Sequence, residues 1–282
     1  MSEPRLTHLA VYLQRLGYDA PPAPTLETLR LLQRRHTGAF AFENLTTLSG
    51  EPVLIDLPSV EQKVLLEGRG GYCYELNSLY LALLKELGFD ARGISGRVVM
   101  GQPEGAWTAR THRLSLVTLG GVRYITDVGL GGMVPTAPLI LDSTTEQLTP
   151  HEPYRIEQHD DGYTLRANVA GEWKAMYIFD LQRQEDIDYA VGNWYVSTHP
   201  ESSFRKQLMV ARTGEGWRRT LNNGSFAIHR VGSESERRQV ADVDELVALL
   251  AREFGIRVPE HAGLKRVLGR LIEPAQEASQ TS

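Results

Sequence analysis

A chain of 282 residues exceeds what one hydrophobic core usually organises, so two or three lobes around one or two cores are expected. Hydrophobic residues at 41% and charged residues at 23% fit a soluble globular protein, and a net charge of −5 argues against nucleic acid or an anionic membrane as partner. The single cysteine excludes an intrachain disulfide and suits a reducing cytoplasm.

The opening MSEPRLTHLAVYLQRLG carries charges throughout and reads as neither a secretory signal nor a membrane span. Thr7 is expected to cap a first helix through about Leu16, with Leu6, Leu9, Leu13 and Leu16 on one face and Gly17 as its stop. Pro21, Pro22 and Pro24 break the chain, and Thr25 opens a second helix ending at Gly38. Ser59 and Gln62 have the spacing of a capping box for VEQKVLLEG. Past Cys73, Leu76, Leu79, Tyr80, Leu83, Leu84 and Leu87 follow helical spacing, with Gly88 as the stop. From about Gly93 the period changes to two. GRVVM, THRLSLVTL, VRYITDVGL, YRIEQH, YTLRANV and EWKAMYIF are strand-like runs between glycine-containing turns, which predicts a central antiparallel sheet or barrel. The last third mixes an irregular stretch, NWYVSTHPESSFRKQL, with three strands and a helix whose N-terminus carries Asp242 and Glu245 as a capping box. HAGLKRVLGRLI suggests a final helix. Domains are therefore placed at residues 1–90 (helical), 91–192 (barrel) and 193–272 (α/β), with residues 273–282 as a frayed tail.

Cys73 in RGGYCYELN stands in the first turn of the strongest predicted helix. Helix N-termini favour the thiolate, and their free N–H groups can bind a developing oxyanion. Gly70 and Gly71 allow a substrate or another strand to approach the sulfur closely. Position alone leaves two readings open, a small buried hydrophobe and a nucleophile. A base decides between them. His112 lies in the strand-like THRLSLVTL, and Gly120-Gly121 is a two-residue hairpin signal before VRYITDVGL. With that turn Leu119 pairs with Val122, and Asp127 falls opposite Leu114, on the face that His112 shares. Asp127 is then a diagonal neighbour of His112 at a Cα separation on the order of 7–8 Å, placed to hold the imidazole for a thiol. A turn one residue longer would send Asp127 to the other face. DVGLGG matches no nucleotide-binding motif, and its bare backbone offers clearance for a long, thin acyl donor. Glu43 is a plausible ion-pair partner for Arg69, a structural role for both. No CxxC, HExxH or acidic loop suggests a metal.

RGGYCYELN, THRLSLV and TDVGLGG, in that order, resemble the three signature segments of the arylamine N-acetyltransferases, of prokaryotic type by length. FAFENL resembles the family's Pro-Phe-Glu-Asn-Leu segment, and NWYVSTHPESSF another of its stretches. The resemblance implies an α+β fold of three lobes: an N-terminal helical bundle, a central antiparallel β-barrel and a C-terminal α/β lid, around a papain/transglutaminase-like catalytic core. It implies ping-pong chemistry in which Cys73 takes acetyl from acetyl-CoA, the co-substrate, and passes it to an arylamine or arylhydrazine. His112 would be the base and Asp127 its orienter. Thr111, Gly129 and Gly131 would lie near the acyl and CoA path, and Phe42, Leu130 and Phe204 would line the aryl pocket. Two positions depart from the family pattern: Leu130 replaces Phe between the glycines, and Ala41 replaces Pro before Phe-Glu-Asn-Leu. The implied protein is a cytoplasmic monomer or homodimer without metal or tightly bound cofactor. Competing readings are a macrolactam-forming amide synthase, which a neighbouring polyketide cluster would favour, and a transglutaminase-like peptidase, which peptide hydrolysis would reveal. From another class, a non-catalytic small-molecule binding protein would lose nothing on replacement of Cys73.

Overall fold

The computed structural model describes residues 5–272, and the predicted frayed tail lies outside them. Helix α1 (Leu9–Arg15) does not use Thr7 as its cap. His8 takes that place, and the buried Glu61 carboxylate accepts the Thr7 and His8 N–H groups at 3.2 and 2.6 Å. A carboxylate accepts more strongly than a hydroxyl, so a distant acid displaces the local cap. Helix α2 (Leu26–Ala39) begins as expected at Thr25, whose Oγ1 accepts from the Thr28 N–H, but it runs one residue past Gly38. The two-residue strand β1 (Phe42–Glu43) and helix α3 (Leu45–Ser49) follow. Helix α4 (Leu57–Val60) continues as a π-helical turn over Glu61–Leu66. Its cap is Asp56, accepting from the Ser59 N–H at 3.0 Å, rather than the predicted Ser59. Helix α5 (Cys73–Glu86) runs as expected and stops at Gly88, whose φ of +85° is the left-handed conformation that glycine adopts freely.

Helices α1, α2, α4 and α5 share one core in which Leu29, Leu32, Leu76, Leu79 and Leu83 are fully buried, whereas Leu45 and Leu48 of α3 belong to another. Each such side chain contributes about 1.5–3 kcal/mol. His36 sits inside that core among Tyr12, Phe40 and Tyr80, with neither ring nitrogen hydrogen-bonded among the described residues. Burial, helped by the Arg15 charge, lowers its pKa to about 3. The unfolded chain binds a proton at this residue first, so its contribution to stability is complete above pH 6.5 and drains away as pH falls toward 3. His36→Phe should therefore gain on the wild type by about 2 kcal/mol between pH 7 and pH 5, measured by urea unfolding at each pH. Parallel pH slopes for the two proteins would contradict the neutral, orphaned imidazole.

The period-two region forms a seven-stranded antiparallel sheet among the described residues: β2 (Asp90–Val98), β3 (His112–Leu119), β4 (Val122–Thr126), β5 (Leu139–Ile140), β6 (Tyr154–His159), β7 (Gly162–Val169) and β8 (Glu172–Phe179). Its order is β5-β4-β3-β2-β8-β7-β6. The two edge strands are bridged by one residue. Gln147 exchanges both backbone hydrogen bonds with Tyr154 of β6, while its side-chain amide accepts from the Ile140 N–H at 2.7 Å and donates to the Ile140 carbonyl at 2.9 Å. A glutamine amide thus imitates a peptide group and nearly closes the sheet into a barrel around Leu114, Ile125, Tyr154 and Leu165.

Helix α6 (Asp186–Thr198) replaces the first half of the stretch expected to be irregular. Gly192 within it leaves room for the Tyr74 hydroxyl, which a Cβ there would overlap. After α7 (Ser203–Lys206) come β9 (Met209–Gly214), β10 (Trp217–Asn222), β11 (Ser225–Arg230) and β12 (Glu236–Gln239). Helix α8 (Val243–Leu249) passes through a π-helical turn, and α9 (Ala262–Ile272) ends the described chain. Asp242 caps α8 as expected, whereas Glu245 reaches the Ala241 N–H, not that of Asp242. The second sheet has the order β1-β9-β10-β11-β12, so residues 42–43 from the helical region supply its edge. Arg218, 3% exposed, donates to the carbonyls of Gly132 and Val134 and pairs with Glu152, tying the glycine-rich segment to this sheet.

Candidate active site

The loop before Cys73 is set by backbone contact. Gly71 donates its N–H to the Ala41 carbonyl and accepts from the Glu43 N–H at 2.9 Å, and a Cβ at Gly70 would overlap the Ala41 carbonyl oxygen. Of the two approaches that the glycines allow, the strand is the one seen. Beneath this loop lie four charges. Glu43, fully buried, accepts from Arg69 Nε at 3.0 Å and from the Leu45 N–H at 2.6 Å, and Lys63 Nζ binds Glu75 at 2.6 Å while lying 4.0 Å from Glu43. Burial works to raise the Glu43 pKa, but Lys63, Arg69 and the Leu45 N–H outweigh it and hold it below the ordinary range. Glu75 goes the other way, because its burial exceeds what Lys63 returns. Its second oxygen accepts the Tyr72 N–H at 3.0 Å and closes the N-terminus of α5, where Cys73 is the first helical residue and 4% exposed.

The hairpin has the predicted parity. Leu119 pairs with Val122 and Ser115 with Thr126, around Gly120 and Gly121 with φ of +58° and +79°. Asp127 consequently meets His112, with Nε2 and Oδ2 2.6 Å apart and both residues buried. Cys73 neighbours His112, and its Sγ lies 3.6 Å from the Thr111 carbonyl oxygen. Burial pulls the His112 pKa down, yet the Asp127 charge and hydrogen bond, with the contribution of Cys73, raise it from 6.5 to about 10. A protonated imidazole beside a sulfur is the setting that stabilises a thiolate.

Asn77, a polar residue of α5 to which the sequence assigns no role, is a further partner of this pair. One helical turn after Cys73, its Nδ2 donates to Asp127 Oδ1 at 2.9 Å and to the Arg113 carbonyl at 2.6 Å, and its Oδ1 accepts the Val128 N–H at 3.0 Å. The available signal was its i, i+4 spacing from Cys73, which puts both on one helix face. Gly129 donates its N–H to the same Asp127 oxygen at 2.9 Å. A Cβ on Gly129 would stand 2.8 Å from Cys73 Cα and 2.7 Å from Asn77 Nδ2, so this glycine lets the loop lie directly on α5. Phe42, Phe204 and Tyr72 pack edge to face, with Phe42–Phe204 centroids 6.2 Å apart, and Gly131 (φ +67°) lies over the Phe42 ring. Leu130 is not packed with them; it is buried in the barrel core. Thr111 is half-buried beside the sulfur. Among the described residues no group of three or more His, Cys, Asp or Glu side chains could hold a metal ion, and no helix is long and apolar enough to cross a membrane.

A helix-borne thiol beside a barrel-borne histidine–aspartate pair defines a class of thiol enzyme. The chain itself matches a family model described as N-acetyltransferase over residues 25–262. It is 40% identical over 269 residues to the arylamine N-acetyltransferase of Mycolicibacterium smegmatis, covering 94% of this chain and 97% of that one. With the arylamine N-acetyltransferase of Escherichia coli strain K12 it shares 39% identity over 258 residues, 91% of this chain and 90% of the other. Among solved structures it resembles the Mycobacterium marinum arylamine N-acetyltransferase in complex with CoA, with a TM-score of 0.88, 42% identity, and coverage of 93% of this chain and 99% of that one. The chain belongs to the arylamine N-acetyltransferase family.

Proposed function

We propose that the protein transfers acetyl from acetyl-CoA to arylamines and arylhydrazines by a ping-pong mechanism. The Cys73 sulfur attacks the acetyl carbonyl; the carbon–sulfur bond to CoA breaks, and CoA leaves as a thiol with a proton from His112. The amine then attacks the acetyl-cysteine carbonyl. His112 takes its N–H proton, the bond to Cys73 breaks, and the sulfur returns to its place beside the imidazolium. The buried 2.6 Å His112–Asp127 contact beside Cys73 carries this reading. Free N–H groups in the first turn of α5 supply donors for the tetrahedral oxyanion. A helix-borne nucleophile with its base on the barrel supports assignment to the papain/transglutaminase-like core and to the three-lobe arrangement. The CoA bound by the M. marinum protein supports acetyl-CoA as donor here. Its path would run past Thr111 and Gly131, with Gly129 as the close-packed floor. Phe42 and Phe204 would face the aryl ring, and Leu130, smaller than Phe, would shape the pocket from the barrel side. A lone thiol fits a reducing, cytoplasmic setting.

Intact-mass spectrometry after mixing with acetyl-CoA should show one acetyl adduct, labile to hydroxylamine, on the wild type and none on Cys73→Ala. An adduct that survives in Cys73→Ala would overturn the proposal.

A further inference from the structure

Side chains alternate along β3, so Arg113 leaves the strand on the face opposite His112. It lines a cavity of about 440 Å³ with Ile55, Leu57 and Pro58, Leu81 of α5 and Tyr189 of α6. Arg113 is 8% exposed, its Nε has no acceptor, and among the described residues no hydrogen bond or ion pair reaches its guanidinium. Among the described residues the other buried arginine, Arg218, is matched by Glu152, and the partly buried Arg69 by Glu43. Arg113 instead lies over the Tyr189 ring at 4.0 Å, which shields one face and leaves the in-plane N–H donors unspent. The Tyr189 hydroxyl is directed away, packed against Gly93 of β2, so the ring and not the hydroxyl meets the guanidinium. Of the two acids lining the cavity, Asp56 is engaged in capping α4, and the exposed Asp186 is not within ion-pairing distance of Arg113. A buried guanidinium with no acid at ion-pairing distance therefore lines a space whose remaining walls are largely apolar, with Ser78 and Lys85 of α5 among them.

We propose that this cavity binds a small carboxylate with an apolar body. The carboxylate lies across the Arg113 guanidinium, whose planar fork matches two oxygens. Its body packs against Ile55, Leu57 and Leu81. This site is separate from the proposed acyl-transfer site, because His112 and Arg113 leave opposite faces of one strand.

The test is isothermal titration calorimetry of benzoate into the full-length protein, with Cys73 first alkylated by iodoacetamide to block the other site. One-to-one binding is expected. Arg113→Gln should weaken it about tenfold or more, and Tyr189→Phe, which keeps the ring against the guanidinium, should leave it unchanged, each variant checked for folding by circular dichroism. Asp186→Asn should tighten it, since a like charge at the mouth is removed. No binding by the wild type, or affinity unchanged in Arg113→Gln, would overturn the site, and inorganic phosphate binding as tightly as benzoate would overturn the apolar body. If Arg113→Gln fails to fold, Arg113→Lys, which keeps the charge without the fork, should weaken binding while Asp186→Asn tightens it, and no change in either would overturn the site.

Discussion

Replacing Asp127 by Asn should slow acetyl transfer and thiol alkylation by on the order of 10³–10⁴-fold while leaving the protein folded. The neighbours of the carboxylate dictate the reason. Oδ1 accepts from Asn77 Nδ2 and from the Gly129 N–H, so an asparagine must keep its carbonyl oxygen on that side. Its NH₂ then faces His112 Nε2, which becomes an acceptor, and the ring proton moves to the nitrogen left for the thiol. The imidazole is held in the wrong tautomer and cannot act as base. Loss of the negative charge also removes what raised the His112 pKa. The histidine–aspartate pair stabilises the native state fully below pH 6.5, and this contribution fades as pH rises through about 10, so the stability gap between wild type and variant should narrow over that window. Iodoacetamide inactivation at neutral pH gives the first number and urea unfolding across the alkaline range gives the second. An alkylation rate within about threefold of wild type would contradict the orienting role.

The largest expected loss of stability comes from Glu43→Ala. This substitution removes the carboxylate that holds Arg69 and the Leu45 N–H; Lys63 keeps Glu75, while Arg69 is left with the Thr46 hydroxyl and no acid. Breaking a buried ion pair from one side costs about 3–5 kcal/mol, because an uncompensated charge remains inside. Urea unfolding would measure it. In Glu43→Ala/Arg69→Ala the orphaned guanidinium is gone as well, so the double variant should be much less destabilised than the sum of the two single ones. A loss below about 1 kcal/mol in Glu43→Ala would mean that the network is too hydrated to matter.

The features legible in the sequence share one property: each is fixed by a local rule. Helix α5 follows from its leucine spacing and the glycine after it. The meeting of His112 and Asp127 follows from a two-residue turn, which fixes parity on both strands. What escaped depends on partners distant in sequence. Thr7 would have capped α1 had Glu61 not arrived from the π-turn of another helix. Helix α6 was hidden because it turns Ile187, Val191 and Trp194 to solvent and carries a glycine that only Tyr74 explains. Strand β1 is two residues long and pairs with β9, far along the chain. Gln147 closes the barrel through a side chain, which no strand pattern encodes. Asn77 fits the polar edge of an amphipathic helix equally well whether or not it holds Asp127.

Asn77 and Cys73 are carried by the same rigid turn of α5, about 6 Å apart along its axis. The sulfur and the amide that steadies Asp127 cannot be displaced independently. If the helix slides or lifts from the barrel, the bonds from Asn77 to Asp127, Arg113 and Val128 break together, and in the proposed mechanism the sulfur loses its base in the same movement. That mechanism makes reactivity conditional on assembly: an incompletely docked chain would carry a dull thiol rather than an exposed and indiscriminate one.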